Sequence, residues 1–270
     1  MNATTTAADA LTSDGCRLRY QIDGPADAPP LLLSNSLGTT LAMWDDQMPA
    51  LRERFRVVRY DSRGHGDSDA PSGEYTIDRL AADALAVLDA AGIERSSYCG
   101  LSLGGMVGQT LGTKAPARLE RLVIANSAPI MEPKESWDAR IATVLEHGMG
   151  AVVDTVLARW FTTDFRERNP AAVARVRTML EETPPAGYAG CCAAIRELDT
   201  RGALGEISSP TLVIVGERDP STPPAAGESI AVKIPGARLA RLDSAHLSNI
   251  ERPAEFTAVL LDFLLARTTA

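Results

Sequence analysis

Short apolar runs alternate with amphipathic stretches along the chain. Runs rich in β-forming residues occur at 18–22, 30–34, 55–60, 98–101, 122–125, 211–215 and 237–242, each followed by turn residues such as Gly, Asp or Ser. Between them, apolar residues recur at helical spacing. This alternation predicts an α/β fold with a mostly parallel central sheet of at least seven strands, flanked by helices.

Two of the predicted helices have recognisable ends. The helix at 76–91 has Tyr75 or Thr76 near its N-cap and Gly92 as its stop signal. The last helix, at 253–266, has Pro253 in its first turn, where the missing N–H costs nothing. We expect this last helix to pack on the sheet.

The strand pattern stops between residues 129 and 201. Apolar residues recur there at helical spacing: Trp137, Ile141, Val144, Leu145, Val152, Val153, Val156 and Trp160. An insertion of this size at the carboxyl edge of a parallel sheet would lie over the place where such sheets bind ligands. We therefore predict a helical lid over residues 129–201, inserted into a core of residues 1–128 and 202–270.

Composition and charge exclude several classes of protein. With 45% hydrophobic and 23% charged residues, the chain has the balance of a globular protein, and 270 residues suffice for one α/β domain. The net charge of −8 disfavours a nucleic-acid partner. No run approaches the ~20 apolar residues of a membrane span, and the N-terminus lacks a signal-peptide pattern. We expect a cytoplasmic protein with no membrane partner.

The four cysteines indicate neither a metal site nor a disulfide framework. Cys16, Cys99, Cys191 and Cys192 fall in no metal-ligand spacing. We interpret them as reduced thiols, and Cys99, inside an apolar run, as a small buried hydrophobic residue.

A candidate nucleophile lies in the sequence Gly-Leu-Ser-Leu-Gly at 100–104. A predicted strand precedes it and a helical stretch follows it. This is the context of a nucleophile elbow in the α/β-hydrolase fold, where a sharp turn exposes the serine and leaves no room for neighbouring side chains. A plain turn serine is the alternative, but the context favours Ser102 as nucleophile.

A serine nucleophile needs a base, and the chain has three histidines. His246 follows the last predicted strand, where the hydrolase order Ser, Asp, His places the base. His65 lies in a glycine-rich loop and is interpreted as a turn residue bonded to backbone. His147 falls in the predicted lid, at its surface or in a pocket wall.

The acid of a triad should follow a strand between nucleophile and base. The run at 211–215 leads into Glu217, Arg218 and Asp219. We predict that Asp219 accepts the second imidazole N–H and stabilises the imidazolium. Glu217 is the competing carboxylate. Asp61 precedes Ser102 and is expected to hold its own loop.

Two backbone N–H groups should stabilise the oxyanion that forms on the substrate carbonyl. The N–H of Leu103, after the nucleophile, is one candidate. The second should come from the small-residue turn after the 30–34 strand, where Leu37 occupies the expected position.

Five segments of the sequence resemble those of one family, the 3-oxoadipate enol-lactonases. They are SNSLGTTLAMWD (34–45), RYDSRGHGDSD (59–69), YCGLSLGGMVGQ (98–109), TPPAGYAGCCAAI (183–195) and AHLSNIERP (245–253). Two segments discriminate: Asn35-Ser36 stands where most related hydrolases carry His-Gly, and the 187–192 segment is not a generic hydrolase feature. Leu103 replaces an expected Met, and the first ten residues match nothing.

The resemblance implies a substrate and a chemistry. It implies that a small anionic lactone, 3-oxoadipate enol-lactone of the β-ketoadipate pathway, is opened through a serine acyl-enzyme with no metal or organic cofactor. The substrate carboxylate calls for a cationic partner, and Arg140, Arg159 and Arg196 are the candidates in the lid. Trp137 and Trp160 are candidate pocket walls, with lid core as the alternative.

Other functions share these residues. Another small-ester or lactone hydrolase, or a cofactor-free peracid-forming relative, would carry the same Ser102, Asp219 and His246. A hydrolase-like protein that binds a lactone and signals through a partner is a further alternative from a different class. The fold alone does not choose among these functions.

Overall fold

Eight strands form one sheet in the computed structural model, which describes residues 5–266. They are β1 (Thr6–Leu11), β2 (Arg17–Asp23), β3 (Pro30–Ser34), β4 (Arg56–Tyr60), β5 (Ser96–Leu101), β6 (Leu119–Ala125), β7 (Thr211–Gly216) and β8 (Arg238–Leu242). Their order is β1-β2-β4-β3-β5-β6-β7-β8, and all pairs from β4 to β8 are parallel. The predicted mostly parallel sheet is confirmed, and all seven predicted runs coincide with strands.

The eighth strand, β1, has no counterpart among the predicted runs. It pairs antiparallel with β2, from Thr6 opposite Ile22 to Leu11 opposite Arg17. Its sequence, TAADAL, buries only Ala10 completely. A strand this poor in large apolar residues has no hydrophobic alternation by which to recognise it.

Eleven α-helices accompany the strands within residues 5–266. They are α1 (Met48–Leu51), α2 (Ile77–Ala90), α3 (Leu103–Lys114), α4 (Lys134–His147), α5 (Gly150–Trp160), α6 (Thr163–Arg168), α7 (Pro170–Glu182), α8 (Pro185–Arg196), α9 (Pro224–Lys233), α10 (Ser248–Glu251) and α11 (Pro253–Leu265). Thr76 caps α2 by accepting from the Arg79 N–H, and Gly92 follows its end with a φ of +67°. α11 begins at Pro253, as the sequence predicts.

Five of these helices, α4 to α8, connect β6 to β7, and we call them the helical insertion. Helix α8 is buried along most of its length and lies against the glycine-rich turn after β4. A Cβ on Gly187 would lie 2.3 Å from the Cα of Gly64, so the two backbones touch. Side chains would separate them, which explains both glycines. The division into core and lid stays a prediction.

The core is built around the middle of the sheet. Every residue of β5 and β7 is buried, and α3 packs on β5 and β6. Among residues 5–266, no helix combines the length and the apolar character that a bilayer crossing requires.

Candidate active site

Ser102 occupies the sharp turn between β5 and α3. Its φ of +57° lies in the left-handed region, which is rare for a residue with a side chain. Its N–H donates to the carbonyl of Ala125 at the end of β6 (2.9 Å), and Ser127 Oγ donates to the Ser102 carbonyl (2.9 Å). These bonds hold the strained turn in place.

The glycines around Ser102 are required by close contacts. A Cβ on Gly100 would lie 2.1 Å from the carbonyl oxygen of Gly104, and one on Gly104 would lie 2.3 Å from that of Ser34. A Cβ on Gly105 would lie 2.6 Å from the Ser127 Cβ. The turn therefore has no room for side chains on either side of the serine, which is the physical content of the Gly-Leu-Ser-Leu-Gly motif.

His246 and Asp219 form a buried, hydrogen-bonded pair. The Nδ1 atom of His246 lies 2.8 Å from the Oδ2 atom of Asp219, and each residue is at most 3% exposed. Glu217, the competing carboxylate, is exposed and makes no such contact. With Nδ1–H directed to Asp219, the Nε2 atom of His246 is left as the basic nitrogen.

Asp219 is held as a carboxylate by several donors. Its Oδ1 accepts from the backbone N–H groups of Ser221 (2.8 Å) and Thr222 (3.0 Å), and its Oδ2 accepts from Thr222 Oγ1 (2.7 Å). Burial by itself raises the pKa of Asp219, but the charge and hydrogen bond of His246 and the Thr222 donors outweigh it and hold that pKa below its usual range.

The sequence interpretation missed Asn126, which links three parts of the site. Its Nδ2 donates to Asp219 Oδ2 (3.1 Å) and to the carbonyl of Ala245 (3.3 Å), beside His246. Its Oδ1 accepts from Ser248 Oγ. Asn126 has a φ of +42°, a conformation in which Asn is enriched. A polar residue directly after the apolar run of β6 was the available signal.

Two backbone N–H groups are candidates for an oxyanion hole. Leu103 is the first residue of α3, and Leu37 lies in the turn after β3. Within residues 5–266, neither N–H has an acceptor. Both residues are buried, and Leu37 lines the same cavity as Ser102. The structure thus leaves these donors available, and their role stays a prediction.

The remaining predicted polar residues have structural contacts. Asp61 accepts from the N–H groups of Leu41 (2.7 Å) and Asp67 (3.0 Å), so it holds its loop. His65 is buried and bonded to backbone at both ring nitrogens. His147 is an exposed residue at the end of α4, with Glu146 3.8 Å away.

A cavity of about 370 Å³ joins the candidate residues. Ser102, His246 and Leu37 lie on its core side. Trp137, Arg140, Val156, Arg159, Trp160 and Tyr188 line it from the helical insertion. The Trp160 ring stacks obliquely near His246, with centroids 5.9 Å apart. Both tryptophans are thus buried residues that also form cavity wall.

The structure separates the three candidate arginines. Arg196 does not line the cavity, because its guanidinium is bound by Glu74, Asp138 and Glu197. Arg159 is exposed at the cavity and donates to the Pro220 carbonyl (2.8 Å).

Arg140 is the half-buried cation of the cavity. It lies over the Trp137 ring, 5.0 Å from its centroid, and no carboxylate within residues 5–266 forms an ion pair with it. The cavity also contains one carboxylate, Glu132, which is exposed.

No group of three or more His, Cys, Asp and Glu side chains within residues 5–266 could hold a metal ion. The four cysteines are buried and free of disulfides.

A strained serine between strand and helix, and a buried His–Asp pair whose histidine lines the same cavity as that serine, define a serine hydrolase of the α/β class. A family model of the alpha/beta hydrolase fold matches residues 29–253, and the chain belongs to this family.

Comparisons with individual proteins show which members of this family the chain resembles. The 3-oxoadipate enol-lactonase 2 of Acinetobacter baylyi is 40% identical over 248 residues, which cover 92% of this chain and 93% of that protein. The crystal structure of the enol-lactonase from Burkholderia xenovorans LB400 superimposes with a TM-score of 0.94 at 43% identity, covering 96% of this chain and 100% of that one. A hydrolase from Pseudomonas aeruginosa PA01 gives a TM-score of 0.94 at 48% identity, covering 97% and 99%. The predicted resemblance to enol-lactonases is confirmed.

Proposed function

We propose that this protein hydrolyses 3-oxoadipate enol-lactone to 3-oxoadipate in the β-ketoadipate pathway of aromatic breakdown. The observation that carries the proposal is one cavity lined by Ser102, by His246, which is hydrogen-bonded to Asp219 behind it, and by the half-buried cation Arg140. The 40% identity to an enol-lactonase across nearly the whole chain supports the choice of substrate.

The first half of the reaction forms an acyl-enzyme. Ser102 Oγ attacks the lactone carbonyl carbon while His246 Nε2 takes the hydroxyl proton. The carbonyl oxygen becomes an oxyanion that accepts from the N–H groups of Leu37 and Leu103. The tetrahedral intermediate then breaks the ring C–O bond and expels an enolate. His246 returns its proton to this leaving group, and the enol tautomerises to the ketone.

The second half releases the product. A water molecule gives a proton to His246 Nε2 as it attacks the acyl carbon, and the same N–H groups stabilise the second oxyanion. Collapse expels Ser102, which recovers its proton from His246. Throughout, Asp219 stabilises the imidazolium by accepting from Nδ1–H. The scheme needs no metal or organic cofactor.

The substrate carboxylate is the feature that distinguishes this lactone from a neutral ester. Arg140 is our choice for its partner, because Arg196 is occupied by three carboxylates and Arg159 is exposed. The Trp137 ring packs against one face of the Arg140 guanidinium and the Tyr188 hydroxyl lies near it, but no carboxylate within residues 5–266 pairs with it, so its charge is available to an anion. Trp137 and Trp160 then form apolar walls around the lactone ring, beneath an α4–α8 insertion that acts as a lid.

The proposal also covers the cellular setting. Four buried cysteines without disulfides are in keeping with a reducing compartment, so we place the protein in the cytoplasm. Its partner is a small anionic lactone, rather than a nucleic acid or a membrane.

The test is a comparison of two substrates with purified protein. Enol-lactone turnover is followed by the loss of its ultraviolet absorbance, and p-nitrophenyl acetate serves as the neutral ester. We expect fast lactone turnover and poor ester turnover, both abolished in Ser102→Ala. Ester cleavage with no lactone turnover would reject the substrate and leave another ester hydrolase. A single stoichiometric turnover would instead indicate a ligand-sensing protein.

A further inference from the structure

The turn from Ser36 to Thr39 has acceptors for all but one of its N–H groups. The Ser36 N–H points to the Met43 sulfur (3.3 Å), the Gly38 N–H donates to His65 Nε2 (2.7 Å), and the Thr39 N–H donates to the Ser36 carbonyl (3.2 Å). The N–H of Leu37, which faces no acceptor within residues 5–266, is the exception. The hydrogen bonds of Ser36, Gly38 and Thr39 therefore hold the turn on both sides of the free Leu37 N–H.

His65 is a well-defined acceptor for this turn. The ring is 1% exposed, and its Nδ1 lies 3.1 Å from the carbonyl oxygen of Arg63. A carbonyl accepts, so Nδ1 carries the proton and Nε2 carries the lone pair that faces Gly38. Burial lowers the pKa of His65 to about 4, which keeps this tautomer neutral at physiological pH.

The peptide between Leu37 and Gly38 depends on a polar contact more than most peptides do. Gly38 has a φ of +74°, and glycine tolerates either sign of φ, so backbone sterics alone do not fix its orientation. The Leu37 N–H belongs to the neighbouring Ser36–Leu37 peptide, which shares the Leu37 Cα with this one, so rotation of the turn about Leu37 would change where that N–H points. The hydrogen bond from Gly38 to His65 opposes that rotation.

We propose that His65 is a positioning residue for hydrolysis, which acts by accepting the Gly38 N–H and thereby aims the Leu37 N–H at the substrate oxyanion. The inference rests on the proposed function, since it requires an acyl-transfer reaction at Ser102. It does not require the enol-lactone itself, because any carbonyl substrate of Ser102 forms the same oxyanion.

A pair of matched variants isolates the acceptor. In His65→Gln, the side-chain oxygen can reach the place of Nε2 and accept from Gly38. In His65→Asn, the shorter amide can occupy the place of Nδ1 and donate to Arg63, but it does not reach Gly38. Both variants and His147→Gln, a control at an exposed histidine, are assayed with the enol-lactone and with p-nitrophenyl acetate.

We expect His65→Asn to lower kcat about 10- to 100-fold with KM unchanged, because the loss falls on the oxyanion and not on the bound substrate. His65→Gln should recover kcat to within about threefold of the unaltered protein. A folded His65→Asn with normal kcat, or a His65→Gln as slow as His65→Asn, would overturn the proposal. If the protein cleaves the ester but not the lactone, the proposed substrate is wrong. The His65 variants are then compared by their kcat for the ester.

A measurement on the unaltered protein keeps the test valid if a variant fails to fold. Nuclear magnetic resonance of ¹⁵N-labelled protein detects a coupling across the hydrogen bond between the Gly38 amide and His65 Nε2. When a phosphonate forms a tetrahedral adduct on Ser102, we expect this coupling to persist and the Leu37 amide proton to shift downfield. Absence of the coupling, or a proton on Nε2, would contradict the inference.

Discussion

Asp219 Oδ2 lies 2.8 Å from His246 Nδ1, and the same carboxylate accepts hydrogen bonds from donors in two separate loops. Thr222 supplies a hydroxyl and a backbone N–H, and Asn126 supplies an amide. An acid fixed in this way selects one imidazole tautomer and leaves Nε2 free to act at Ser102.

The first prediction concerns Asp219→Asn. The amide can present an N–H to His246 Nδ1, which favours the tautomer that has its proton on Nε2 and cannot act as a base. We expect kcat to fall by about 10³- to 10⁴-fold while the protein stays folded. Steady-state kinetics with the enol-lactone measure the loss, with Glu217→Gln, an exposed carboxylate two residues away, as the control. A folded Asp219→Asn with near-normal kcat would remove Asp219 from the scheme.

Sequence reasoning reached the triad because each member follows an apolar strand and one carries a glycine signature. Ser102 follows β5, and Asp219 and His246 follow β7 and β8 by a few residues. Because parallel strands end at the same edge of the sheet, residues that directly follow β5, β7 and β8 lie at that one edge. The catalytic roles stay predictions until variants are measured, but the geometry agrees with them.

Contacts between distant parts of the chain were beyond sequence reasoning. Arg196 pairs with Glu74, which lies 122 residues earlier, so its occupation could not be inferred from its own helix. The bond from Gly38 to His65 likewise joins two loops that only the sheet order brings together. Strand β1 was missed for a different reason, since its stability comes from pairing with β2 and not from apolar burial.

A second prediction separates recognition of the substrate anion from catalysis. Arg140→Gln removes the cation and keeps much of the packing against Trp137. A hydrogen bond to a charged group contributes about 1.5–3 kcal/mol, so we expect KM for the enol-lactone to rise about 10- to 100-fold. KM for p-nitrophenyl acetate should not change. Arg159→Gln is the matched control at the cavity rim, and a larger effect there would reassign the anion contact.

A third prediction compares two glycines. Gly104→Ala places a Cβ 2.3 Å from the Ser34 carbonyl, so the turn around Ser102 must shift; we expect a loss of activity and of about 1–3 kcal/mol in the free energy of unfolding. Gly150→Ala, at the start of α5, meets nothing within 4 Å and should stabilise by about 0.5–1 kcal/mol. Urea unfolding measures both. A neutral Gly104→Ala would show that the turn is not closely packed.

The last prediction concerns the dependence of stability on pH. Burial lowers the pKa of His65 to about 4, from an ordinary value of 6.5. Between these two values the unfolded chain binds a proton that the folded protein does not, so the free energy of unfolding increases with pH across this window. The contribution is fully present above pH 6.5 and is lost as the pH falls towards 4, by about 3 kcal/mol in all.

His65→Gln removes this titration while keeping an acceptor for Gly38. We expect the free energy of unfolding of the unaltered protein to fall relative to that of His65→Gln as the pH decreases from 6.5 to 4, because the variant lacks this titration and groups such as Asp219 titrate in both. Urea unfolding curves measured at intervals between about pH 4.5 and about pH 7.5 give this difference in the free energy of unfolding. The range covers most of the interval between the two pKa values of His65. His147→Gln, which changes an exposed histidine, should track the unaltered protein at every pH. Parallel curves for the unaltered protein and His65→Gln would mean that the pKa of His65 is the same in the folded and unfolded protein. His65 Nε2 would then be protonated in mild acid and could not accept from the Gly38 N–H.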